Sequence, residues 1–148
     1  MMQRRQVVQG LLGGGALAAF GGCAGTGGSV PSKAQVVVIG GGYGGATAAK
    51  YVRLFSDNRI DVVMIEPNTS FVSCPISNLV VGGSRTLAEL TSPYDGLRSA
   101  HGVTIVRDQA AAIDAAKKTV KLAGGAEIRY DKLVLSPGVE LMFDDVAG

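Results

Sequence analysis

The stretch Val36-Val37-Val38-Ile39-Gly40-Gly41-Gly42-Tyr43-Gly44-Gly45 decides how this chain folds. Its β-branched apolar run predicts a buried strand, and the unbroken apolar character suits a parallel sheet covered on both faces. Gly40, Gly42 and Gly45 fit G-x-G-x-x-G. In that pattern the first glycine permits the tight turn out of a strand. The second lets the backbone approach a pyrophosphate, and the third lets helix and strand pack closely. The helix that follows offers free N–H groups and a partial positive charge to an anion.

Working outward, Ala46 to Phe55 predicts a helix with Ala46, Ala49, Val52 and Leu54 facing the sheet. Arg59 to Glu66 predicts a second strand, so residues 36 to 66 form one βαβ unit. Glu66 closes that strand roughly 20 residues after the last glycine, where a carboxylate accepts hydrogen bonds from ribose hydroxyls. Pro67-Asn68-Thr69 ends the strand, and Ser70 to Asn78 reads as a loop ahead of Leu79-Val80-Val81 and a Gly82-Gly83 break. Ser92-Pro93 predicts a helix start, with serine capping and proline in the first helical position, and Gly102 ends that helix. Val103 to Val106 is a short strand. Val120 and Leu122, then Ile128 and Tyr130, alternate around Gly124-Gly125 as in a β-hairpin. Leu133-Val134-Leu135 returns as a buried strand and stops at Ser136-Pro137-Gly138. The fold class is α/β, a dinucleotide-binding βαβ unit on a parallel sheet.

Residues 1–32 read differently. Arg4-Arg5 precede the apolar stretch Leu11 to Gly22, and small polar residues follow from Gly25 to Ser32. That order is the order of an export signal, and the paired arginines point to the twin-arginine route and a periplasmic destination. A bilayer core needs about 20 apolar residues, so the shorter run argues against a permanent membrane span. Gly22-Cys23 leaves a lipid anchor on Cys23 as a minor alternative. Residues 33–148 then make one small domain, the N-terminal part of something larger, because a dinucleotide domain needs further parallel strands. Among 148 residues with a net charge of +2 no basic stretch interleaved with aromatics argues for nucleic acid. One histidine, His101, and one cysteine beyond the signal, Cys74, cannot build a metal site. His101 reads as a surface or helix-end residue, and Tyr43 and Met64 as packing residues.

Taken together, the Gly40–Gly45 turn with Glu66, the β-meander and Tyr130-Asp131-Lys132-Leu133-Val134-Leu135-Ser136-Pro137-Gly138 resemble the flavoproteins with two dinucleotide-binding domains, the superfamily of glutathione reductase and sulfide:quinone oxidoreductase. The resemblance implies a Rossmann-like domain that binds FAD through Gly40, Gly42, Gly44, Gly45 and Glu66. Gly138 lets the backbone pass near the flavin, although Ser136-Pro137 departs from the usual Ala-Thr. NAD(P)H, where used, binds a second domain outside this chain. Within the superfamily, Glu66-Pro67-Asn68-Thr69 with Ser73-Cys74-Pro75-Ile76-Ser77-Asn78 is most similar to the flavoproteins of flavocytochrome c sulfide dehydrogenases. Val80-Val81-Gly82-Gly83 and Tyr94-Asp95-Gly96-Leu97 support the same likeness.

That likeness implies sulfide as substrate and a separate c-type cytochrome as partner, since no C-x-x-C-H haem site occurs here. It also implies a substrate disulfide beyond residue 148, leaving no catalytic residue within this fragment, and a thioether from Cys74 to the 8α-carbon of the flavin. The reach is reasonable, because eight residues of extended chain span roughly 25–29 Å. Cys74 as one half of a redox disulfide, or as an inert thiol, are the other readings. For the whole protein the alternatives are a sulfide:quinone oxidoreductase, a pyridine-nucleotide-dependent disulfide reductase, or a flavin-binding module without catalysis.

Overall fold

A computed structural model of the chain describes residues 33–139. The export signal expected over residues 1–32, Cys23 within it, and the tail after residue 139 lie outside the described residues. Strand β1 (Gln35–Ile39) leads through the glycine turn into helix α1 (Tyr43–Phe55), and strand β2 (Asp61–Ile65) follows. A long excursion holds β3 (Ser70–Val72), the short helix α2 (Ser77–Val81), β4 (Thr91–Pro93) and helix α3 (Asp95–His101). Strand β5 (Thr104–Val106) comes next, then β6 (Ala110–Asp114), β7 (Thr119–Leu122), β8 (Glu127–Arg129) and β9 (Lys132–Leu135). The main sheet has the order β5-β2-β1-β9 and is wholly parallel. The expected α/β architecture is present.

Strand β1 is apolar throughout because both of its faces are covered. Successive side chains of a strand point to opposite faces. Val36 and Val38 pack with Ala49 of α1, Val62, Met64, Tyr94 and Val103. Val37 packs on the other face with Ile65, Val120 and Leu122. That second face is roofed by the three-stranded antiparallel meander β6-β7-β8, which serves as the crossover from β5 to β9. The hairpin expected around Gly124-Gly125 is its second half, with Gly125 at φ +91°. Its first strand, β6, is mostly alanine and carries no alternation that the sequence could announce.

Five expectations need correction. Helix α1 begins at Tyr43, not Ala46, with Gly42 as the residue before its first turn. Its buried stripe is Gly45, Ala49 and Arg53, spaced by four, so Leu54 lies 48% exposed instead of facing the sheet. Ser92-Pro93 does not start a helix. These residues belong to β4, which pairs antiparallel with β3 at Ser70↔Pro93, Phe71↔Ser92 and Val72↔Thr91. Proline sits at the strand's last position, where a missing N–H costs no ladder bond, and α3 starts at Asp95. The loop expected from Ser70 to Asn78 therefore holds a strand and the start of α2. Finally, Leu135 is 61% exposed, because β9 is paired only with β1 among the described residues and leaves one side open.

Arg53 was the least expected core residue. Its Nε donates to the carbonyl of His101 at 2.9 Å, at the end of α3. Its Nη1 donates to the carbonyls of Ile60 at 2.6 Å and Asn58 at 3.2 Å, and to Asp61 Oδ1 at 3.2 Å. One guanidinium thus joins the end of α1, the turn into β2 and the end of α3. Gly102 closes α3 at φ +62°, as expected, and a Cβ there would lie 2.9 Å from Arg53 Nη2. His101 contributes its carbonyl, not its ring. Arg53→Ala leaves these acceptors without a donor, so unfolding in urea should show a loss of about 2–4 kcal/mol. A loss below about 1 kcal/mol would mean that water replaces the guanidinium freely.

Candidate functional site

The glycine turn sits at the carboxyl ends of β1, β2 and β9, where open α/β sheets bind ligands. Gly40 donates its N–H to the Ile65 carbonyl at 2.9 Å, and Ser136 donates to the Ile39 carbonyl at 2.9 Å. Gly40 adopts φ +94°, and a Cβ on it would stand 2.0 Å from the Ser136 carbonyl oxygen. Gly45 is needed for a different reason: its Cβ would lie 1.9 Å from the carbonyl oxygen of Gly40. Gly44 faces the Ser136 hydroxyl, 2.6 Å from the position its Cβ would take. Gly42 differs from these, since its Cβ would meet only Phe71 Cε2, at an ordinary 3.7 Å. Packing within the protein does not demand a glycine there. An outside occupant approaching the backbone would.

The amides of the turn divide into two sets. Those of Gly40 and Gly41 point into the protein, to Ile65 and to Glu66. The first helical hydrogen bond is donated by Ala46 to the Gly42 carbonyl, so the amides ahead of it in the first turn have no helical acceptor. These face the open end of the helix, where free N–H groups and the helix dipole favour an anion.

Glu66 is buried, at 6% exposed. Its Oε2 accepts the Gly41 N–H at 2.7 Å, and its Oε1 accepts Asn68 N at 2.9 Å and Asn68 Nδ2 at 2.8 Å. A carboxylate offers about four lone-pair sites, so one on Oε2 remains for a further donor. Arg107, just past β5, donates from Nη1 to the Asn68 carbonyl at 2.6 Å and from Nη2 to the Thr69 carbonyl at 3.2 Å. Its guanidinium lies 5.9 Å from the Tyr94 ring centre.

Sequence reasoning missed Tyr94. It is 4% exposed, packs in the main core and stands against Gly41, whose Cβ would lie 2.6 Å from the Tyr94 hydroxyl. Burial, and then the nearby Glu66 carboxylate, push its phenol up to about 12, with Arg107 opposing. A small cavity of about 170 Å³ opens between Gly41, Gly42, Thr47, Phe71, Tyr94 and Leu97. No run of residues signals this tyrosine, because a long excursion from β2 carries it back to the turn. A larger, shallow groove of about 630 Å³ lies against Tyr51, Phe55 and Ile60, away from the glycine turn.

The remaining residues are placed less closely. Gly138 is exposed, at φ +82°, with nothing within 4 Å of a Cβ position. Cys74 is an exposed free thiol just after β3. Tyr43, expected as a packing residue, is 58% exposed but stacks edge-on against Phe71 at 4.8 Å. Its hydroxyl hydrogen-bonds Ser73, which ties the segment bearing Cys74 to the first residue of α1. Among the described residues no cluster of histidine, cysteine, aspartate or glutamate could hold a metal ion, and no helix is long and apolar enough to cross a membrane.

The contrast between two glycines is testable. Gly45→Ala should lower both the melting temperature and the affinity for a dinucleotide, because the backbone must move. Gly42→Ala should leave the melting temperature within about 2 °C and still weaken binding at least tenfold. Equal affinity in Gly42→Ala and the parent would show that nothing occupies the space above residue 42.

Comparison with known proteins agrees with this geometry. Over 46 residues, 31% of this chain, it is 56% identical to the flavoprotein chain of a flavocytochrome c sulfide dehydrogenase from Chlorobaculum thiosulfatiphilum, of whose recorded sequence the match covers 94%. It is 34% identical over 116 residues to a mitochondrial sulfide:quinone oxidoreductase of Dictyostelium discoideum, covering 77% of this chain and 25% of that protein. The solved structure of the sulfide:quinone oxidoreductase from Aquifex aeolicus superposes with a TM-score of 0.65 at 32% identity, over 74% of this chain and 25% of that one. The chain therefore spans about a quarter of the length of these oxidoreductases. A family model matches residues 34–146, the turn, the meander and β9 alike, and the chain belongs to the pyridine nucleotide-disulphide oxidoreductase family.

Proposed function

We propose that this chain is the FAD-binding part of a sulfide dehydrogenase that passes electrons from sulfide through FAD to a c-type cytochrome. The observation that carries the FAD assignment is the outward-facing set of first-turn amides beside Gly42, next to the buried Glu66. This cradle fits a pyrophosphate, and the spare lone pair of Glu66 fits a ribose hydroxyl. The sulfide assignment is supported by the relatives, whose names share sulfide oxidation. The cytochrome acceptor is supported by the 56% identity to a flavocytochrome c flavoprotein chain.

In this reading the amides of α1's first turn hold the pyrophosphate, Glu66 orients the adenosine ribose, and Gly138 lets the backbone run close to the flavin. Cys74 carries the thioether to the flavin, and its exposed thiol leaves the sulfur accessible. Bound FAD supplies a two-electron acceptor for sulfide and a one-electron donor to the cytochrome. The disulfide that receives sulfide is assigned to cysteines beyond residue 148. Residues 1–32 act as a twin-arginine signal, which places the protein in the periplasm. A tethered cofactor would be retained there after export.

A second reading, sulfide:quinone oxidoreductase, rests on 34% identity over most of the chain. The acceptor separates the two. With full-length protein, sulfide should reduce added c-type cytochrome without quinone, whereas reduction of a short-chain quinone alone would favour the second reading. Acid denaturation of the full-length protein should leave yellow flavin on a tryptic peptide that contains Cys74. Cys74→Ser should release it, and complete release from the parent would remove the thioether.

A further inference from the structure

We propose that Tyr94 is a ligand-binding residue of the dinucleotide site, its hydroxyl donating a hydrogen bond to an oxygen of the ADP half of the cofactor. This deepens the FAD reading and rests on it. Three observations point the same way. First, Tyr94 is 96% buried by its 4% exposure, yet among the described residues its hydroxyl makes no hydrogen bond. No wholly enclosed polar side-chain atom among the described residues lacks a partner, so this hydroxyl must keep contact with the small cavity it lines. A hydroxyl placed at the wall of a cavity is free to donate to whatever enters it. Second, the hydroxyl is aimed at the phosphate-binding turn, being 2.6 Å from where a Cβ of Gly41 would stand. The turn opens a helix of 13 residues whose first amides are free.

Third, no acceptor among the described residues takes up the hydroxyl, and the cavity in front of it has room for one from outside. Glu66 already receives three N–H donors, and the Gly41 N–H lies on it. The cavity is otherwise lined by the rings of Phe71 and Tyr43, by Leu97 and Pro93, and by the hydroxyl-bearing Thr47 and Ser92, neither of which hydrogen-bonds the Tyr94 hydroxyl. The phenol itself stays protonated at every physiological pH, because burial and the Glu66 carboxylate both oppose its ionisation. It is therefore a fixed donor at the wall of a cavity that opens beside the glycine turn. A phosphate oxygen and a ribose hydroxyl share that acceptor chemistry, and the experiment tells them apart.

The test uses the full-length protein carrying Cys74→Ser, so that FAD is exchangeable, with and without Tyr94→Phe. FAD binding is followed by quenching of flavin fluorescence, and ADP and adenosine are used as competitors. Phenylalanine keeps the ring and its packing, so the melting temperature of the flavin-free protein should stay within about 2 °C. FAD and ADP should each bind about tenfold more weakly to Tyr94→Phe, the loss of one hydrogen bond to a charged or polar oxygen. An equal loss for adenosine assigns the bond to the ribose, and unchanged adenosine binding assigns it to phosphate. Unchanged affinity for both FAD and ADP overturns the proposal. Full-length protein with Cys74 intact that carries no flavin, bound covalently or not, overturns the FAD reading instead. Should the phenylalanine variant fold poorly, 3-fluorotyrosine at position 94 gives a separate reading. Its fluorine resonance should move when ADP is added, and a resonance that stays in place also overturns the proposal.

Discussion

Everything at the carboxyl end of this sheet depends on how closely the Gly40 carbonyl approaches the α-carbon of Gly45. A side chain on Gly45 would stand 1.9 Å from that oxygen, and a side chain on Gly40 would stand 2.0 Å from the oxygen of Ser136. Three backbone segments, the end of β1, the first turn of α1 and the end of β9, therefore meet with no room for a single Cβ. That approach aims the axis of α1 at the edge of the sheet and leaves its first amides pointing outward. It also brings Ser136-Pro137-Gly138 next to the turn, although these residues are some 95 positions away in sequence.

The covering of β1 on both faces makes this crossing rigid. Helix α1 and Tyr94 press on Val36 and Val38, and the meander presses on Val37. A central parallel strand enclosed in this way cannot slip by one residue without exchanging its two faces. Here both faces are apolar, so the pattern alone does not forbid a slip. The register is held instead by pairing on both sides, Val37 standing between Val63 and Leu133. The antiparallel meander contributes by filling the place that a second crossover helix would take, and it packs Val120 and Leu122 against the strand at no more than 4% exposure.

What the sequence discloses and what it hides follow from the range of the interactions. The βαβ unit is legible because its determinants are local: a run of β-branched residues, a glycine pattern and an acid closing the next strand. The helix stop at Gly102 is legible for the same reason, since a left-handed residue there favours glycine. Ser92-Pro93 misleads because the same dipeptide serves a helix start or a strand end. The choice is made by β3, about 20 residues earlier, which supplies a ladder partner. Arg53 is hidden because a charged residue counts as exposed until its acceptors are known. Those acceptors are backbone carbonyls and one aspartate that only the fold assembles. Tyr94 is hidden likewise: its neighbours Gly41 and Glu66 are reached through space.

The placing of Glu66 resolves an electrostatic difficulty in such a site. A carboxylate beside a pyrophosphate would repel it, and at 4 Å two unit charges interact by about 4 kcal/mol at an effective dielectric of 20. Here the negative charge is directed onto three N–H donors, from Gly41 and Asn68. Asn68 is itself held by Arg107 through its carbonyl, which brings a positive charge to the same corner. Charge-assisted hydrogen bonds of this kind are stronger than neutral ones, so much of the field that an incoming phosphate would feel is already balanced by the protein. The bond from Gly41 has a second consequence. By fixing that amide inward, it fixes the peptide plane between Gly40 and Gly41, and with it the direction in which the later amides of the turn face. The acid thus sets the direction of the turn's free amides in the protein itself, and preorganisation of this kind lowers the ordering cost of binding.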